Sequence, residues 1–275
     1  MLVQRIFPPE SKFFKNNKNN FSKIGDLFDS LQLIQLFSIW TLTISGLVLG
    51  SGQTDRYIYL DWTNWISVFI KLSVVTILFL FILRSKSLWN VGLRPLSKNE
   101  IPLHVFIALC LILFGWMNTS NNFPDIIHII AYIFAFLGCL FGFQLNLEFD
   151  KDKKEWFNSK WDDKELYFSL AFVSLLIALI IGFKYDDPFI STASAVAIPF
   201  SIIALIWPNH IRHLQRLRFY PIFIFAMFLC VRVPWFIIPL IILFIAIRII
   251  NYFRYGIVYP SFGVDFDEDI STSIR

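Results

Sequence analysis

Phe143 to Leu166 reads FQLNLEFDKDKKEWFNSKWDDKEL and sets twelve charged side chains between two apolar runs. The run before it extends from about Ile126 to Leu147, and the run after it from about Leu166 to Phe183. Each is near the roughly 20 residues that cross a bilayer core of about 30 Å as a helix. Neither run alternates with a period of two, so they read as helices and not as barrel strands.

The same reading extends outward in both directions. The chain has 275 residues, of which 56% are hydrophobic and 16% charged, with a mean hydropathy of +0.62. Those values fit a polytopic membrane protein and no soluble domain of this length. The fold class expected is all-α, a bundle of about eight transmembrane helices. Residues 1–30 form a cytoplasmic N-terminal segment, 31–253 the bundle and 254–275 a cytoplasmic tail. In the N-terminal segment Phe21, Ile24, Phe28 and Leu31 fall at helical spacing, which predicts a short interfacial helix with Ser22 as its N-cap.

The spans expected before the charged stretch are about Leu31–Gly50, Trp62–Leu83, Ile101–Met117 and Ile126–Leu147. After it come Leu166–Phe183, Phe189–Trp207, and a last apolar region, Phe219 to Tyr252, which Arg232 and Pro234 divide into a hairpinned pair. With this map, 20 of the 24 Lys and Arg residues fall on one side, 3 on the other, and Lys71 lies within a span. The positive-inside rule then makes both termini cytoplasmic, in what reads as a bacterial inner membrane. The net charge of +4 is not gathered on a soluble face, so a nucleic-acid partner is not expected. Cys110, Cys139 and Cys230 each lie in an apolar run and read as small core residues.

Chemistry has few candidates. Asn146 and Asp150 are four residues apart, which on a helix puts both on one face at the end of the fourth span. An amide and a carboxylate so placed suit Mg²⁺, whose shell waters and phosphate oxygens can complete. Lys71, about nine residues inside its span, either faces a cavity where it meets a phosphate or carboxylate, or snorkels outward. Arg232 either snorkels at its hairpin or pairs with Asp186 or Asp187. The four histidines form no ligand pattern, and G-x-S-x-G, H-E-x-x-H and Walker A motifs are absent. Tyr252, Phe253, Tyr255 and Tyr259 near the C-terminus suggest docking on the membrane surface.

The order of an apolar helix, Asn146-x-x-x-Asp150, a charged loop and a Lys164-Glu165-Leu166 entry into the next span resembles the UbiA superfamily of membrane prenyltransferases. Arg94-Pro95-Leu96-Ser97 followed by Lys98-Asn99-Glu100 looks like the segment after that family's first aspartate motif. The resemblance covers these two loops and their flanking helices. It implies an isoprenoid diphosphate bound through Mg²⁺ at the cytoplasmic lipid boundary, with Asn146 and Asp150 on the metal and Lys71, Arg94 and Lys154 toward the substrate. The chain departs from the family where Lys154 stands in place of a further Asp, and where no acidic residue precedes Arg94 in its loop. The competing expectation is a non-enzymatic membrane subunit with protein partners, or a small transporter.

Overall fold

An apolar run has no way to satisfy its backbone N–H and C=O groups in lipid except within a helix, and the chain folds accordingly. The computed structural model describes residues 2–51, 65–118, 125–144, 147–150, 155–158 and 163–256. Two helices come first, α1 (Leu2–Ile6) and α2 (Lys12–Leu31). The apolar helices are α3 (Leu33–Gly50), α4 (Trp65–Leu78, continued by a π-helical turn at Phe79–Leu83), α5 (Glu100–Trp116) and α6 (Ile126–Gly142), followed by α7 (Lys164–Lys184), α8 (Pro188–Ile206), α9 (Ile211–Arg232) and α10 (Ile237–Tyr255). Six of the helical segments are long and apolar enough to cross a membrane, while α5 and α6, at 17 residues each, are shorter.

The helices run back and forth between two ends. At one end the start of α3, the loop after α4, the end of α6, the start of α9 and the end of α10 converge, together with α2. Most of the described basic residues outside helix interiors gather here, so we call it the basic end. The opposite end holds Met117, His128, Asp187 and Arg232. Packing follows chain order from α6 through α9, and α3 lies against α5 and α9. The closest approach is between Gly46 and Gly115: a Cβ on Gly46 would sit 1.9 Å from the Ile112 carbonyl oxygen, and one on Gly115 1.9 Å from that of Thr43. Backbones touch only where small residues permit it, which is how membrane helices gain dispersion contact without a hydrophobic drive.

Four expectations are corrected. α2 begins at Lys12 with Ser11 as N-cap, its hydroxyl accepting from Phe14 N at 3.2 Å, so Ser22 lies inside the helix. α6 ends at Gly142 and not near Leu147, because Phe143 and Gln144 close it with turn bonds back to Cys139, Leu140 and Phe141. The all-α class stands, but where the sequence reading has a span end and a charged loop, Leu147–Asp150 and Glu155–Asn158 pair as an antiparallel hairpin, with Leu147 opposite Asn158 and Asp150 opposite Glu155. The alternation Leu-Glu-Phe-Asp carries the strand period of two over its four residues. Lastly, Tyr252 and Phe253 are buried beneath the N-terminal helices and do not face a membrane surface. Phe21 stacks on Phe253 at 4.2 Å between ring centroids, and Tyr252 Oη donates to Phe7 O at 2.6 Å. Tyr259 lies outside the described residues.

Candidate functional site

At the basic end, the segment from Ser87 to Ser97 is pinned at several points. Trp89 is fully buried and donates from Nε1 to Ser38 Oγ at 3.0 Å, tying the segment to α3. The backbone N–H of Asn90 donates to His104 Nε2 at 3.0 Å, which gives that histidine a structural role. Gly92, at φ +76°, packs against the Phe143 ring, and its carbonyl accepts from Arg218 at 3.4 Å. Leu96 N donates to Gln144 Oε1 at 2.6 Å. The loop carrying Arg94 and the residues that open the charged stretch are therefore direct neighbours.

Beneath this junction is an interior cavity of about 50 Å³, walled by α3, α6, α8 and α9 and by Val91 and Phe143 at its basic end. At roughly 10–15 Å³ per water it is room for a few small groups. Its lining is apolar apart from Ser38, Thr41, Ser45 and Tyr132. The first three hydroxyls already donate to carbonyls one turn back, at 2.7, 2.8 and 2.8 Å.

Of the residues predicted for a substrate site, the described Lys71 and Arg94 lie at opposite ends of α5. Lys71 Nζ donates to Gly115 O at 2.6 Å and to Met117 O, at the opposite end of the bundle. It caps the C-terminus of α5, where carbonyls lack intrahelical partners and a cation suits the helix dipole. Arg94 is at the basic end, half-exposed, and its guanidinium grips the Glu100 carboxylate, with Nη1 to Oε2 at 3.0 Å. Ser97 N donates to the same carboxylate oxygen at 2.8 Å, so Glu100 and Arg94 together staple the turn that starts α5. Asp150 ends the first strand of the hairpin, so the argument from a shared helix face does not hold for it. Asn146 and Lys154 lie outside the described residues. No group of three His, Cys, Asp or Glu side chains comes together among the described residues, so these offer Mg²⁺ no complete set of donors.

A buried polar cluster lies at the opposite end, where the sequence offered a pairing of Arg232 with Asp186 or Asp187. Asp187, 1% exposed, caps α8 by accepting from Phe189 N and Ile190 N, both at 3.0 Å. Burial pushes its carboxyl above the usual carboxylate range, opposed by those two amides and by nearby His128. Tyr132 lies within electrostatic reach of both Asp187 and buried Arg232. The Tyr132 hydroxyl and the Asp187 carboxylate interact with each other, and among the described residues His128 Nδ1 is buried with no hydrogen-bond partner. Asp187-Pro188 is legible besides as a helix-start dipeptide, whereas nothing in the sequence drew Tyr132 or His128 to it. No protein-family model, no curated protein and no solved structure matches the chain.

Proposed function

We propose that the chain is an integral membrane protein of eight spans, its basic end cytoplasmic, that binds an isoprenoid diphosphate there as the UbiA resemblance implies. The observation that carries this reading is the meeting of the two resembling loops above an apolar cavity, through Leu96 N and Gln144 Oε1 at 2.6 Å. An isoprenoid would present its head group at that junction and its tail toward lipid. The counts of six long helices and two of 17 residues support eight spans, since about 17 residues is the lower bound for crossing and α5 and α6 run between the same ends as the others. The segregation of basic residues supports the orientation, and a bacterial inner membrane belongs to the proposal with it. Mg²⁺ belongs to the proposal through Asn146 and Asp150, with Lys154 toward phosphate.

A second reading, a non-enzymatic membrane subunit, is favoured by the engagement of Lys71 and Arg94 in capping bonds at opposite ends of α5. Binding of geranylgeranyl diphosphate to the purified full chain, with and without Mg²⁺, separates the two. The enzyme reading expects Mg²⁺-dependent binding that weakens at least about tenfold in Asp150→Ala and Asn146→Ala, a loss of about 1.4 kcal/mol. Absence of binding, or equal binding by the wild type and both variants, leaves the subunit reading.

A further inference from the structure

A second cavity, of about 200 Å³, opens at the basic end between α2, α3 and α10. Gly92 and Leu93 form part of its wall, so the pinned loop separates it from the interior cavity. Its polar lining consists of one carboxylate and three carboxamides, Asp29, Gln32, Gln35 and Asn251; the rest is mainly apolar, including Phe28 and Ile250. The Asp29 carboxylate already accepts from Arg254 Nη1 at 2.6 Å.

Gln32 carries two observations that are independent of each other. Its backbone, at φ 52° and ψ 50°, is in the left-handed region that favours glycine, where it joins α2 to α3. Its side-chain Oε1 is buried with no hydrogen-bond partner among the described residues. A glutamine held in a strained backbone, with an unmet acceptor at the wall of a cavity many waters in size, is a pattern expected where a ligand supplies the missing donor.

We propose that this cavity binds the uncharged, hydroxyl-bearing head group of a neutral glycerolipid, with a hydroxyl donating to Gln32 Oε1 and the carboxamides of Gln35 and Asn251 supplying further donors and acceptors. The site is distinct from the diphosphate site proposed above and does not depend on it. Among the described residues no Lys, Arg or His lines the cavity, and the nearest cation, Arg254, is already paired with Asp26 and Asp29, so a phosphate head group finds no unpaired counter-charge there. Access is from the bilayer: Phe13, Ile24 and Leu27 make an exposed apolar stripe along α2, beside the face that docks on α10.

The test titrates the full chain in detergent micelles with monoolein, which has two free hydroxyls, and with methyl oleate, which has none, reading Tm. Wild type is expected to gain a saturable rise in Tm with monoolein only. Gln32→Gly separates binding from folding, because glycine suits the positive φ. It is expected to raise the Tm of the unliganded protein while weakening the monoolein response about tenfold, the loss of one buried hydrogen bond. Asn251→Leu should weaken the response as well. An equal rise with methyl oleate, an undiminished response in Gln32→Gly, or a larger rise with dioleoyl phosphatidic acid than with monoolein would each overturn the assignment.

Discussion

A lysine within a membrane helix is costly, up to about 2.5–3.5 kcal/mol at the centre on insertion scales and less toward an end, and Lys71 offsets its share by bonding to the Gly115 and Met117 carbonyls. Replacing it leaves two helix-end acceptors without a donor in a medium that cannot hydrate them. Lys71→Leu is therefore expected to destabilise the bundle by about 1–3 kcal/mol, seen as a lower Tm in detergent. Lys71→Arg should restore part of the loss, since a longer cation still reaches the end of α5. Should Leu at position 71 raise Tm, the ammonium was facing lipid and the capping account is wrong. The sequence marked this residue by its cost alone. Its partner is 44 residues away, and no spacing rule connects a lysine to two main-chain oxygens.

At the scale of elements, the docking of α2 on α10 is the feature with the most to test. Phe14 is 5% exposed and stacks on Phe253, with ring centroids 5.2 Å apart. Arg254 reaches back to Asp26 and Asp29 at 2.7 and 2.6 Å. Those carboxylates are well exposed, so the ion pairs guide the helix more than they hold it, and the aromatic packing dominates. Phe14→Ala should cost about 3–5 kcal/mol locally and release α2, so that protease cuts within residues 12–31 well before the bundle. Arg254→Ala should accelerate the same cuts far less. If Phe14→Ala is cut no faster than wild type, α2 is held by other contacts. The asparagine-rich text KNNKNN hides the helix start, since apolar periodicity begins only at Phe21. Burial of Phe14 under the end of α10 overrides that weak local signal, and Ser11 completes the cap.

At the scale of the whole molecule, most of the described basic residues outside helix interiors lie at one end of the bundle, among them Arg94 and Arg218. Single cysteines introduced at Asn121 and Asn158 are expected to react with a membrane-impermeant maleimide from opposite faces of the membrane, Asn158 from the cytoplasmic one. Labelling of both from the same face would remove the eight-span map. The apolar helices and their order were legible because they depend on composition over about 20 residues, which lipid reads without reference to tertiary contacts. The end of α6 was not, since apolar letters continue past Gly142 and only the bond from Leu96 N to Gln144 Oε1 marks where the chain turns away. Local spacing grouped Asn146 with Asp150 on the assumption of a continuing helix, and the strand at Leu147–Asp150 breaks that assumption. The sequence by itself determined that this chain is a helical membrane-type bundle with one basic end, a consequence of hydrophobic transfer and charge. Tertiary structure alone decided that Lys71 and Arg94 serve opposite ends of α5, that Gln32 faces a cavity, and that Asp187 and Tyr132 share a buried pocket. Such meetings are set by side chains converging from distant segments, and no local pattern in the chain encodes them.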